Sequence, residues 1–327
     1  MPIIMVISKI LNVIDMPILM TIFLTEKHKK NFLVCDDLDS FKDDIASMEH
    51  PMFSLSRKAD HRMLEYEYHG NTIKIKPSST GLATILDKDV LLYIASSIMK
   101  AKNNGETISQ TVRFTSYDYL IATNRNTGGS QYVQLKEGLS RLRGTSIETN
   151  IKTNGVEITT EFGLIDTWKT VKEDDDGKPI AIEIKLSDWF YNSILGDAVL
   201  SIDKNYFSLR KPTERRIYEL ARKHCGNQTA WKIKLENLKL KLGITSPTRT
   251  LRFNINKIVQ TNHLPEYNIS IEDDVVIFSR KEPPKENVAP VQLPKHISKA
   301  VIEKNAKPGE NYEQVADRLK KLKQALK

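Results

Sequence analysis

Cysteine is almost missing from this sequence. Its two copies, Cys35 and Cys225, lie far apart, and neither has a second cysteine at the spacing of a zinc pair or a redox C-x-x-C. Both are expected to be small buried hydrophobes in a chain that works in a reducing cytoplasm. Catalytic signatures are missing too. No G-x-x-x-x-G-K-[ST] occurs, which removes the phosphate cradle of a P-loop ATPase. The seven histidines are scattered, with no H-E-x-x-H and no Cys/His cluster of zinc spacing, so a metal-dependent nicking enzyme lacks its ligand set. Asp174-Asp175-Asp176-Gly177 lacks the later ligands of a calcium loop and reads as a plain turn. The expectation is a non-enzymatic protein with no cofactor and no metal.

Long hydrophobic runs are confined to the first 24 residues, where Lys9, Asn12, Asp15 and Pro17 interrupt them. A positive amino-terminal region and a small-residue cleavage site are both lacking, so neither a membrane helix nor a signal peptide fits. Residues 1–31 read as an apolar leader, with the true translation start expected at or near Met20.

What is present is a 327-residue chain, 40% hydrophobic and 28% charged, enough for two cored domains plus tails. Its net charge of +8 is unevenly placed. Residues 1–190 carry 23 basic against 26 acidic side chains, and residues 191–327 carry 26 against 15. Between 210 and 260 thirteen Lys or Arg face only Glu214, Glu219 and Glu236. A concentrated basic field attracts phosphate, although lysine-rich helix faces are also common on proteins that bind no nucleic acid.

Element signals give the same plan twice. The stretch 32–51 is acidic and irregular, MFSLS is strand-like, and YEYHGNTIKIK reads as a hairpin turned at His69-Gly70-Asn71. Asp87 is placed to cap a helix that ends at Asn104-Gly105. Thr115 caps a short helix, residues 126–129 turn, and Ser130 caps a second helix running to Arg143. A β wing should follow directly, with Lys152 at its tip beside Asn154-Gly155, and a second hairpin around Asp174–Gly177 should complete the sheet. After a connecting helix and strand in DWFYNSILGDAVLSID, the order returns: a helix with Pro212 in its first turn, the strand WKIKL, a short helix ended by Gly243, a helix opened by Pro247, and a hairpin around Asp273-Asp274. This is an α+β fold with two tandem winged-helix domains, 32–192 and 193–281. A proline-rich linker, 282–309, and a helix at 310–327 with apolar residues Tyr312, Val315, Leu319 and Leu322 follow.

A winged helix lays the second helix of its pair in the major groove, the groove with a distinguishable donor and acceptor code. On helix 130–143, Tyr132, Leu135, Leu139 and Leu142 face inward, leaving Ser130, Gln134, Lys136, Ser140, Arg141 and Arg143 outward, with Glu137 available to pair with Arg141. On helix 247–260, Leu251, Ile255, Ile258 and Val259 form the buried stripe. Arg249, Arg252, Phe253, Asn256, Lys257 and Gln260 are the candidate readers, Phe253 being equally suited to pack on a neighbouring element. Lys211, Arg215, Arg216, Lys232 and Lys234 are candidates for phosphate contact, and Lys152 for backbone or minor-groove contact.

The segments CDDLDSFKDDIASMEHPMFSLS, GLATILDKDVLLYIAS, TVRFTSYDYLIATNRNTGG and LSRLRGT followed by FGLID resemble the replication initiator protein A family of bacterial plasmids. The resemblance spans roughly residues 32–166 and thins through the second half. It implies a tandem winged-helix initiator that binds repeated sites in double-stranded origin DNA and helps open the duplex for the host initiator and helicase machinery. It also implies a homodimer, for which the N-terminal domain is the candidate surface. A winged-helix transcriptional repressor without initiator activity is the alternative.

Overall fold

The computed structural model describes residues 40–281, apart from residue 69, residues 152–160, residues 173–178 and residue 227, and it also describes Val315. Residues up to 280 fall in one compact unit and residues 281–327 in another, of which Lys281 and Val315 are described. The linker and terminal helix expected beyond 281 therefore lie outside the described residues, apart from Val315.

Strand β1 (Phe41–Asp44) and helix α1 (Ile45–Glu49) occupy a stretch whose acidity suggested irregular chain. The acidic residues here are structural: the Asp44 carboxylate accepts from the Ser47 amide at 2.8 Å and so caps α1. MFSLS is not a strand. Met52, Phe53 and Ser54 are buried in succession instead of alternating, and a single bridge links Ser54 to Thr84. Strands β2 (Leu64–Tyr68) and β3 (Asn71–Lys76) form the expected hairpin, with Gly70 at φ +79° in its turn.

Helix α2 (Asp89–Asn103) is the centre of the first half, buried at almost every position from Val90 to Met99. Asp87 does not cap it. Its carboxylate accepts from the Thr84 amide at 2.8 Å and from both arms of the Arg141 guanidinium at 2.8 Å. Strand β4 (Thr111–Phe114) leads into α3 (Ser116–Ala122), where Thr115 Oγ1 accepts from the Asp118 amide as expected. Helix α4 (Gly129–Gly144) begins one residue before the expected Ser130 cap. Strands β5 (Ser146–Thr149), β6 (Phe162–Gly163), β7 (Ile165–Lys172) and β8 (Pro179–Leu186) follow, then helix α5 (Asp188–Leu195) and strand β9 (Val199–Ile202).

A 3-10 turn (Lys204–Ser208) opens the second half. Helix α6 (Pro212–Cys225) has proline in its first turn, where the missing N–H costs nothing, and buries Ile217, Leu220 and Ala221 completely. Strand β10 (Ala230–Lys234) and helix α7 (Leu235–Leu242) precede helix α8 (Thr248–Thr261) and the hairpin β11 (Tyr267–Glu272) and β12 (Val275–Arg280). Asp273 and Asp274, both at positive φ, make the turn.

The fold is mixed α/β, and its halves share an order of elements. Helix, strand, helix, helix and hairpin recur as α2-β4-α3-α4-β7-β8 and as α6-β10-α7-α8-β11-β12. Each set closes a three-stranded sheet of matching order, β4-β8-β7 and β10-β12-β11. The hairpin expected directly after α4 departs from that plan. Strands β5 and β6 join β2 and β3 in a separate four-stranded sheet, because fully buried Ile147 pairs with fully buried Ile75 and extends that sheet's apolar face.

The two halves are fastened together. Strand β1 pairs with β9 within the first half, α1 packs on α6 across the joint, and one hydrophobic core runs from Phe41 to Phe278. The boundary expected after residue 192 falls inside α5. Buried ions also cross the joint. Lys88 Nζ donates to Asp43 at 2.8 Å and to Glu219 at 3.0 Å, and Asp89 is shared by Arg125 and Arg215. Burial pushes the Asp43 carboxyl upward despite Lys88, while Asp43 and Glu219 together hold the Lys88 ammonium charged against its own burial.

Candidate nucleic-acid interface

The exposed face of α8 is built by its spacing. Leu251, Ile255 and Ile258 recur at four and three residues and are at most 2% exposed, which turns Arg249, Phe253, Asn256, Lys257 and Gln260 to solvent. Phe253 does not pack on a neighbouring element. It is 57% exposed, and its ring lies 4.3 Å from Lys257 Nζ, one helical turn on. The helix therefore presents a guanidinium, two amides, an ammonium and an aromatic ring on one surface. Arg252 stands apart from that group, paired with Asp274 in the β11–β12 turn.

Helix α4 is less open. Leu135, Leu139 and Leu142 are buried as the pattern predicts, and Ser130, Gln134, Lys136 and Arg143 are exposed. Ser140 and Arg141 are half-buried. Arg141 does not take Glu137 as its main partner. Its planar fork is spent bidentately on Asp87, which holds its pKa above the ordinary value. Arg143 Nε donates to the Asp166 carbonyl at 3.2 Å.

Two of the basic residues assigned to phosphate leave the surface altogether. Arg215 and Arg216 are 2% and 3% exposed. Arg215 pairs with Asp89, donates to the Leu209 carbonyl at 2.7 Å and lies over the Tyr206 ring. Arg216 donates to the Ser47 and Met48 carbonyls at 2.8 and 3.0 Å and to Glu219 at 3.1 Å, tying α1 to α6. The sequence shows two arginines on a helix, but not that α1 folds over Arg216 or that Asp89 meets Arg215. Lys211 remains exposed, beside Glu214 at 2.7 Å. Lys232 and Lys234 are exposed, and strand alternation puts them on the sheet face opposite buried Ile233, away from the helices. Lys152 lies outside the described residues.

Among the described residues no helix is long and apolar enough to cross a membrane, and no group of three His, Cys, Asp or Glu side chains could hold a metal ion. Buried Cys225 contacts the Gln228 carbonyl, and burial raises its pKa.

Comparison with known proteins gives this arrangement a family. The family model described as replication initiator protein A matches residues 42–269, which spans both halves. A protein of Wigglesworthia glossinidia brevipalpis described as "Putative replication protein" is 43% identical over 268 residues, covering 80% of this chain and 97% of that protein. Among solved structures, domains 2 and 3 of RctB superpose with a TM-score of 0.53 at 13% identity, over 72% of this chain and 96% of that one, a likeness of fold. The matched stretch takes in the α2 to α4 motifs and the α6 to α8 elements alike, and the chain belongs to the replication initiator protein A family.

Proposed function

We propose that this protein is a non-catalytic plasmid replication initiator that binds repeated duplex sites at its origin. There it promotes opening of the DNA and recruits the host initiator and helicase. Each half acts as a winged helix, with α8 as the reading helix of the second and α4 as the corresponding helix of the first. The observation that carries this reading is the exposed face of α8 in a member of a replication initiator family: Arg249, Asn256, Gln260 and Phe253 stand clear of the core with no structural duty there. These side chains match guanine, adenine and the thymine methyl. Lys257 on the same face suits phosphate.

The first half contributes less direct reading, since Arg141 is committed to Asp87 and Ser140 is half-buried. It supports the second by gripping an adjacent turn of DNA and by forming a homodimer.

The test is duplex binding by the full chain. Arg249→Ala is expected to weaken binding to the cognate repeat by about 1–3 kcal/mol while changing binding to random duplex far less. Equal losses on both would reassign Arg249 to phosphate contact. A plasmid carrying only its own origin and this gene should establish. If it fails while operator binding and repression persist, the protein is a repressor.

A further inference from the structure

A cationic cleft lies at the joint between the halves, lined by residues of both. Two hollows of about 470 and 400 Å3 share Leu86, Arg125 and Gln134 in their walls, so they adjoin. The first is closed by the loop at residues 56–59, the second by Arg210 and Arg215 ahead of and within α6. Along one side runs the face of α4 that bears Gln134, Glu137 and Arg141. A side of α4 expected to point freely outward thus forms the wall of a cleft.

The charges in this cleft do not balance. Arg57, Lys58, Arg125, Arg141, Arg210 and Arg215 line it. Asp87 answers Arg141, Asp89 behind the wall is divided between Arg125 and Arg215, and Glu137 on α4 adds one exposed carboxylate near Arg141. Arg57, Lys58 and Arg210 have no carboxylate partner among the described residues, and all three are exposed. Their placement is nonetheless ordered. Arg57 Nη2 donates to the Arg210 carbonyl at 2.9 Å, and Arg210 Nη2 donates to the Asn124 carbonyl at 3.2 Å. The Lys58 amide donates to Ser56 Oγ at 3.1 Å, fixing the loop that carries it. Cations pinned by backbone carbonyls keep their full charge and most of their donors for a ligand.

We propose that this cleft is a phosphate clamp for one strand of duplex DNA, placed so that the backbone crosses the joint between the halves. Arg57, Lys58 and Arg210 neutralise the phosphates and Gln134 donates its amide to them. The proposal rests on the duplex-binding reading above and adds a contact outside either candidate reading helix. Its chemistry is sequence-independent, because phosphate contacts set register and affinity without reporting base identity. It also gives the joint a role in binding: a strand held by Arg57 from the first half and Arg210 from the second fixes the spacing between the sites that α4 and α8 reach.

The test measures affinity of the full chain for cognate and random duplexes across a series of salt concentrations, for the wild type, Arg57→Ala/Arg210→Ala, Lys58→Ala and Arg249→Ala. Each phosphate contact removed is expected to lower the slope of log K against log salt by about 0.9. The double variant should therefore lose about two units and Lys58→Ala about one, with equal fold-losses on both duplexes. Lys58→Ala guards against a folding artefact, because its ammonium bridges no other side chain among the described residues, and Arg57→Lys/Arg210→Lys should restore most of the slope. If Arg249→Ala discriminates between the duplexes while the cleft variants keep the wild-type slope, the clamp is wrong and the duplex reading stands. If the wild type itself binds no duplex, the functional reading fails first.

Discussion

Residue by residue, charge in this protein has two fates. Lys88 is about 1% exposed, its ammonium held between Asp43 and Glu219, while Arg249 on α8 is exposed to water. A buried pair adds little net stability over an apolar substitute, yet removing one partner strands the other in low dielectric. Lys88→Ala would leave two buried carboxylates facing each other, with Tyr206 and Arg216 as the remaining partners of Glu219. It is expected to destabilise the fold by about 3–5 kcal/mol in urea unfolding. A loss below about 1 kcal/mol would mean that water or a neighbouring side chain fills the site. Composition counts Lys88, Arg215 and Arg216 with the other cations of the chain. Only their carboxylate and carbonyl partners, among them Asp43, Asp89, Glu219 and the Ser47, Met48 and Leu209 carbonyls, separate structural charge from charge free for a ligand.

At the level of elements, several signals carried by neighbouring residues match the structure. Thr115 caps α3, Pro212 opens α6, and Gly243 ends α7 in the left-handed conformation at φ +66°. Gly243 also fits closely against the first half: an added Cβ would lie 2.7 Å from Pro51 Cβ and 2.9 Å from the Tyr66 hydroxyl. Gly243→Ala is therefore expected to cost at least about 1–2 kcal/mol from backbone conformation alone, with the contact adding to it. A thermal melt would check this, and an unchanged melting temperature would show that α7 can shift away from Pro51. Elements whose identity depends on a distant partner leave no such local mark. Strand β1 exists because β9 pairs with it from about 160 residues away, and α1 gains its packing from α6. Strands β5 and β6 pair as a hairpin should but join β2 and β3, because hairpin chemistry fixes where a chain turns and not which edge it then joins.

Across the whole molecule, the repeated order of elements suggested two bodies, whereas the core and the ion network tie residues 40–280 together. That predicts a single cooperative unfolding transition, with amides of α2 and α6 exchanging hydrogen through openings of the same free energy. Two resolved transitions in urea would show instead that the halves fold separately and merely dock.

The sequence alone determined the family resemblance, the mixed fold, the recurring helix-strand-helix-helix-hairpin order and the exposed face of α8. All of these depend on neighbours within a turn or two, which spacing and capping residues encode. Tertiary structure decided which arginines are buried, where β5 and β6 pair, and that Arg57, Lys58 and Arg210 converge beside α4. Those outcomes depend on partners distant in the sequence, and a periodic pattern carries no record of which remote strand edge, carboxylate or carbonyl a residue will meet.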